Sequence, residues 1–179
     1  MRVTSNGSWP GNIHISNTAI LQGDGRYHLE QDWINDATFI AGNSSVEMFG
    51  NKLELITSNN ATVTTFDTLD LTGTGTAINR RKQQTLDANV AGALLLNDRV
   101  LFTAGHTMYI TTPALTAVTN STTYGSEGLV SSIGTGCLSR VTNAASPYYF
   151  PVGAASVTLR YRKVLLTPAS SNNATYTVR

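Results

Sequence analysis

Two glutamates, Glu47 and Glu54, are the residues of this sequence best suited by type and spacing to act as a general acid and a general base. Glycosidic bond hydrolysis needs two carboxyl groups about 5 to 10 Å apart, one of them with a raised pKa. Each glutamate stands between apolar residues, in Val46-Glu47-Met48 and Leu53-Glu54-Leu55. If those neighbours face a core, the carboxylates face solvent. We therefore predict that both glutamates are exposed and that the protein is not an enzyme. A polysaccharide-degrading enzyme is the least favoured alternative.

The densest aromatic cluster, Tyr148-Tyr149-Phe150-Pro151, suggests a different chemistry. Exposed aromatic rings stack on sugar rings, so Tyr148 and Tyr149 are the candidate carbohydrate contacts. The alternative is that these rings close the end of a hydrophobic core, because aromatic side chains bury large apolar areas. We favour the closing role and keep carbohydrate binding as the second interpretation.

The sequence contains no pattern that indicates a metal site, a cofactor site or a catalytic nucleophile. The single cysteine, Cys137, has no motif that supplies a base, and we expect it to be a small buried side chain. The three histidines, His14, His28 and His106, lie in different segments and match no metal-binding spacing. The sequence also lacks a glycine-rich phosphate loop. We expect no cofactor and no metal.

Charge and hydropathy limit the partners. The net charge of +1 gives no footprint for nucleic acid, and no apolar run approaches the ~20 residues that cross a bilayer, so we expect neither nucleic-acid binding nor membrane insertion. The concentrated basic run Arg80-Arg81-Lys82 is interpreted as a solvated loop. Docking of an acidic polysaccharide at this run is the alternative.

Short apolar runs that alternate with polar residues make up most of the chain and predict β-strands. Comparable runs recur at a nearly constant interval: Leu71 lies 22 residues after Phe49, and Leu94 lies 23 after Leu71. An advance in the low twenties is what one turn of a parallel solenoid requires. We predict an all-β chain that forms a right-handed parallel β-helix over residues 1–150. Residues 1–35 would form its N-terminal cap, and Ala37 to Ile56 its first complete turn.

The pattern changes after Gly153. Two longer alternating runs, Val157 to Leu166 and Thr175 to Arg179, are joined by Pro168 to Asn173 and predict a β-hairpin. Because an isolated strand pair is marginally stable in water, residues 151–179 are interpreted as an incomplete second β-domain.

The order of several phrases resembles a known module. Thr62 to Gly73 (TVTTFDTLDLTG), Gln84 to Leu96 (QTLDANVAGALLL) and Val100 to Ile110 (VLFTAGHTMYI) precede the closing phrase Phe150-Pro151-Val152-Gly153. Together they resemble the β-helical repeat module of large secreted surface proteins of Bacteroidetes, many exported by type IX secretion. The resemblance runs from about Trp33 to Val178 and is interrupted by the basic run at residues 79–82.

The resemblance implies an extracellular or cell-surface location and an adhesin-like structural function. Asp67-Thr68-Leu69 also matches the three-residue pattern at which Bacteroidetes O-glycosylate proteins. The resemblance therefore implies that Thr68 is a glycosylation acceptor. An unmodified intact mass of native material would contradict this prediction.

These observations favour a structural or adhesive segment of a large extracellular protein, acting as a stiff rod. Its expected partners are neighbouring domains of the same protein or a second copy of the chain. A carbohydrate-binding module that uses Tyr148 and Tyr149 on a surface polysaccharide is the alternative function.

Overall fold

The computed structural model describes residues 7–9, 11–76, 80–123, 126–131, 134–155 and 159–179. The protein is all-β, as predicted: these residues form nineteen strands, one 3₁₀ turn at Leu115–Ala117 and no α-helix. The first ten strands are β1 (Gly7–Trp9), β2 (Ile13–Ile15), β3 (Ile20–Gln22), β4 (Arg26–Leu29), β5 (Trp33–Asn35), β6 (Thr38–Ile40), β7 (Ser45–Met48), β8 (Glu54–Thr57), β9 (Thr64–Leu71) and β10 (Arg81–Gln84). The others are β11 (Ala88–Leu95), β12 (Val100–Phe102), β13 (Thr107–Ile110), β14 (Val118–Thr119), β15 (Leu129–Ser131), β16 (Cys137–Thr142), β17 (Tyr148–Ala155), β18 (Leu159–Leu166) and β19 (Ala174–Val178).

The strands lie in three rows, which we name by the order in which the chain reaches them from β3 onward. The first row contains β3, β6, the first half of β9, the first half of β11, β13, β16 and β19. The second row contains β1, β4, β7, the second halves of β9 and β11, and β14. The third row contains β2, β5, β8, β10, β12, β15, β17 and β18. Strands β9 and β11 join the first two rows, and their register shifts between Val90 and Ala93.

From β3 to β15 the chain visits the first, second and third rows in the same order each time, and the strands that pair within a row run parallel. Among the described strands, β3 and β6 form a separate two-stranded sheet, and β6 only contacts β9. In the parallel strand pairs, register partners are separated by 18 residues at the shortest, Ile20 with Thr38, and by 30 at the longest, Thr107 with Cys137. The interval predicted from sequence falls inside this range. The predicted register was wrong by one residue at Leu71, which pairs with Met48 rather than with Phe49. It was wrong by two residues at Leu94, which pairs with Leu69 rather than with Leu71.

The C-terminal strands end the parallel pairing. Strand β18 pairs antiparallel with β17 in the third row, and β19 pairs antiparallel with β16 in the first. The predicted hairpin between these two strands is therefore wrong, since each extends a different row. The predicted domain boundary at residue 150 falls inside β17. An antiparallel strand can follow its neighbour through a tight turn, whereas a parallel strand needs a long crossover.

The described part of the predicted cap, residues 7–9 and 11–35, already has the pairing of the later strands. Strand β2 pairs parallel with β5, and β4 pairs parallel with β7. Residues 1–6 and 10 lie outside the described residues, and the capping function stays a prediction.

The core lies between the rows, and strands such as β2, β5 and β8 fill it with every second side chain, as the alternation of a pleated strand requires. Near the N-terminal end Trp33 contacts Tyr27 and Phe39 edge to face, with ring centroids 6.3 and 4.7 Å away, and the tilted ring of Phe66 at 5.4 Å. Toward the C-terminal end, aliphatic side chains such as Leu94, Leu101 and Leu138 replace them. No helix in the described part of the chain is long and apolar enough to cross a membrane.

Candidate functional site

The two tyrosines singled out from the sequence point to opposite faces of β17. Tyr148 is fully buried, and its hydroxyl donates to the Pro113 carbonyl at 3.1 Å. Its ring packs under the guanidinium of Arg140, 5.4 Å from the ring centroid. The carbohydrate prediction is therefore wrong for Tyr148, because a buried ring offers no face to a sugar. Tyr148 takes the alternative role of filling the core.

Tyr149 is half-buried and belongs to a ring of three hydrogen bonds with Tyr161 and Asn120. The Tyr149 hydroxyl donates to Asn120 Oδ1 at 2.9 Å, and the Asn120 amide donates to the Tyr161 hydroxyl at 3.4 Å. Since the Tyr149 proton is already used, the Tyr161 hydroxyl donates to the Tyr149 hydroxyl and closes the ring. The Asn120 amide is also held by the Gly128 carbonyl at 2.6 Å. These bonds fix both tyrosine side chains in place.

A groove of about 470 Å³ opens at this ring of hydrogen bonds, beside β14. We call it the tyrosine groove; its walls include Thr119, Asn120, Glu127, Tyr149, Tyr161 and Lys163. Strand β14 pairs with β11 and is the last described strand of the second row. After it the chain passes from β16 in the first row directly to β17 in the third. The groove therefore lies where the second row ends before the other two.

The tyrosine groove carries one side chain of each charge. Glu127 is buried at 9% exposure, whereas Lys163 is exposed. Neither side chain forms an ion pair with another residue in the described ranges. The groove thus combines two tyrosine rings, the hydrogen-bonded Asn120 amide, the Glu127 carboxylate and the exposed Lys163 ammonium. Sequence reasoning found Tyr149 but missed Tyr161 and Asn120, which lie 12 and 29 residues away from it in the chain.

The prediction that Glu47 faces solvent is wrong, because residues of the neighbouring β4 and β9 segments cover it. Its side chain is only 6% exposed and forms an ion pair with Arg26 at 2.5 Å. His28 and the Thr72 hydroxyl also contact the Glu47 carboxylate. Asp70, the register partner of Glu47 in β9, has its pKa raised by burial and, less strongly, by the Glu47 charge. This cluster satisfies the Glu47 carboxylate from three sides.

The prediction is also wrong for Glu54, which is fully buried beside Lys82, its register partner in β10. Lys82 is buried as well, and its ammonium binds the Glu54 carboxylate and the Gly50 carbonyl at 2.9 Å. Burial raises the pKa of Glu54 and lowers that of Lys82, and in each case it outweighs the attraction of the partner. Glu47 and Glu54 serve two separate ion pairs, and the structure does not bring their carboxylates together in a cleft.

Arg81 and Lys82 of the basic run lie in β10 and Arg80 directly precedes that strand, so the run is not the predicted solvated loop. Arg80 donates to the carbonyls of Asp98 at 2.9 Å and Glu127 at 3.1 Å, and Arg81 donates to the Ala155 carbonyl. Because Lys82 is buried, it is closed to an acidic polysaccharide. The charges of this run are used to link neighbouring segments.

Thr68, the predicted glycosylation acceptor, lies within β9 between Ser45 and Ala93 of the adjacent strands. Its side chain is half-buried, and its hydroxyl donates to Asp67 Oδ2 at 3.4 Å. Glycosylation at Thr68 stays a prediction. Cys137 is buried, as predicted, with its sulfur 3.1 Å from the Thr107 hydroxyl. In the described ranges no three His, Cys, Asp or Glu side chains converge as metal ligands.

Comparisons with protein-family models, with curated proteins and with solved structures found no match to this chain.

Proposed function

We propose that this chain is a right-handed parallel β-helix that serves as a stiff structural or adhesive segment of a larger extracellular protein. The observation that carries this proposal is the fixed order in which the chain visits the three rows, with parallel pairing from each turn to the next. Such a stack buries its inner side chains and pairs its backbone only against neighbouring turns, so it is strong along one axis.

The axial length of the chain determines how much it would contribute to such a rod. Eight strands of the third row, spaced by about 4.8 Å, give an axial length of about 34 Å. That length is modest, so a rod function depends on further turns in the parent protein. The chain would add one rigid section whose outer faces carry threonine, asparagine and serine.

Engineered disulfides test the β-helix. Thr65 and Asn89 are register partners on adjacent turns, and their side chains are hydrogen-bonded at 3.1 Å. In a Cys137→Ser background, Thr65→Cys with Asn89→Cys should form an internal disulfide under mild oxidation. Thr65→Cys with Tyr109→Cys, two turns apart, is the matched control and should stay reduced, because a disulfide needs Cα atoms within about 7 Å. Equal oxidation of both pairs would contradict the fold.

Surface proteolysis tests the extracellular location. Brief trypsin treatment of intact native cells should release peptides from the exposed C-terminal strand β18, where Arg160, Arg162 and Lys163 are accessible. A cytoplasmic marker protein is the control and should release none. Peptides that appear only after cell lysis would contradict the proposed location.

Self-association is a further part of the proposal. Strand β2 ends the third row with one described neighbour, and Ile13, Ile15 and Leu21 line an apolar groove beside it. A second copy could stack on this end. Sedimentation should show dimers as concentration rises, whereas a monomer at every concentration would remove this part of the proposal.

A further inference from the structure

We propose that the tyrosine groove binds a neutral oligosaccharide, with Tyr149 and Tyr161 as the stacking platform and Glu127 as the group that excludes anionic sugars. This binding site is independent of the rod function.

The size and the composition of the groove suit a small polar ligand. Its volume of about 470 Å³ lies within the range of ligand pockets, about 300 to 1,000 Å³. A pyranose has an apolar C–H face and a rim of hydroxyl groups, so it needs an aromatic ring together with donors and acceptors around it. Tyr149 and Tyr161 supply the rings, and Asn120, Glu127 and Lys163 supply the polar groups.

The hydrogen-bond ring makes the site preorganised. Each of the three side chains donates to the next, so the tyrosine rings are held before any ligand arrives. A fixed platform avoids most of the ordering entropy that binding otherwise costs. A hydrogen-bonded hydroxyl also keeps unused lone pairs as acceptors for sugar hydroxyl groups.

The charges select against acidic sugars. Glu127 is 9% exposed and lines the groove, so a uronate or sulfate there would meet a carboxylate with little screening by water. The Arg80 guanidinium, which donates to the Glu127 carbonyl, offsets only part of that charge. Lys163 is exposed and on a flexible stem, so it can turn away into solvent. A neutral sugar can use both groups as hydrogen-bond partners without repulsion.

Titrations with defined oligosaccharides test the proposal. The probes are four-unit glucan, mannan, galactan, xylan and chitin-type oligosaccharides, with tetragalacturonate as the anionic probe, each followed by NMR up to about 10 mM, ten times a Kd of about 1 mM. At least one neutral probe should bind to the wild-type chain with shifts confined to the tyrosine groove. Absence of binding by every neutral probe, or stronger binding of tetragalacturonate, overturns the proposal.

Three variants assign the residues. Tyr149→Ala should weaken binding of the best neutral probe by about tenfold or more. Tyr161→Phe, which keeps the ring and removes one hydrogen-bond donor, should weaken binding of the same probe by about threefold. Glu127→Gln should strengthen tetragalacturonate binding by about fivefold while leaving the neutral probe within twofold. The control is Tyr109→Ala, an exposed tyrosine on β13 outside the groove, which should bind like the wild type.

The variants also separate binding from folding. If Tyr149→Ala loses the circular dichroism signal of the wild-type chain, Tyr161→Phe and Glu127→Gln decide the result. Unchanged binding in Tyr149→Ala that is folded, or an unchanged preference between neutral and anionic probes in Glu127→Gln, overturns the assignment of these residues.

Discussion

Lys82 and Arg140 are both fully buried cations, yet the core accommodates them in different ways. Lys82 on β10 faces a carboxylate, that of Glu54, and the pair carries no net charge. Arg140 on β16 has no acidic partner among the residues that the structure describes. Its guanidinium donates to the backbone carbonyls of Tyr149 at 2.5 Å, Ala114 at 2.9 Å and Leu115 at 3.4 Å.

The difference shows two ways to reduce the cost of a charge in a β core. In the ion pair each charge depends on the other, so removal of one leaves the other buried and uncompensated. Around Arg140 the compensation comes from carbonyl dipoles and from the rings of Tyr148 and Phe150, 5.4 and 5.7 Å away. Burial lowers the pKa of Arg140 to about 10, so it stays charged at neutral pH. Its removal leaves unpaired acceptors but no buried charge.

The largest expected effect is at the ion pair. Lys82→Met should lower the free energy of unfolding by about 3 kcal/mol, because the Glu54 carboxylate would remain buried without a counter-ion. The double variant Lys82→Met with Glu54→Leu should recover most of that loss, since apolar residues of similar volume replace both charges. Urea denaturation at pH 7 measures both. A double variant as unstable as the single variant would mean that packing, not charge, dominates.

Arg140→Met should cost less, about 2 kcal/mol, since it leaves carbonyl acceptors unpaired and no charge behind. Arg160→Met on β18 is the matched control, because Arg160 is exposed, and should change stability by less than about 0.5 kcal/mol. Urea denaturation again gives both values. A loss at Arg140 larger than that of Lys82→Met would reverse the proposed order of the two sites.

Gln84, two residues after Lys82 on the same inward face of β10, is a buried neutral group that can be compared with the two buried cations. It is fully buried, and neither atom of its side-chain amide has a hydrogen-bond partner within the described ranges. Gln84→Leu should therefore raise the free energy of unfolding by about 1 kcal/mol. Gln83→Leu, on the opposite and partly exposed face, is the control and should have little effect. Destabilisation by Gln84→Leu would indicate that the amide is satisfied in solution.

The smallest expected effect is a pH dependence of the ion pair. Because the folded chain holds the Glu54 proton more tightly than the unfolded chain, wild-type stability should fall as pH rises from the ordinary value of 4.5 through the raised pKa. Burial lowers the pKa of Lys82, so stability should rise again as pH approaches the ordinary value of 10.5. Both trends are measured relative to the double variant Lys82→Met with Glu54→Leu, which lacks both titrating groups. If the difference in free energy of unfolding between the wild type and the double variant stays constant across this pH range, the assigned pKa directions are contradicted.

The strands were predictable, because period-two alternation is local. Runs such as Val46-Glu47-Met48 identify both the strand and the residues that share a face. The candidate site was predictable only at Tyr149, which stands in a visible aromatic cluster. Tyr161 and Asn120 could not be assigned to it, because their approach depends on antiparallel pairing of β18 with β17 and on the end of the second row at β14.

Local patterns in the sequence were enough to show that the chain is all-β, because side-chain alternation and turn residues are set within a few positions. The predicted interval in the low twenties lies within a wider observed range of 18 to 30 residues. Tertiary structure decided which polar residues are inside. Glu54 is buried because Lys82, 28 residues later, lies directly beside it in the adjacent strand. A carboxylate with a distant partner has the same local pattern as one facing water, and only the pairing of the strands distinguishes the two.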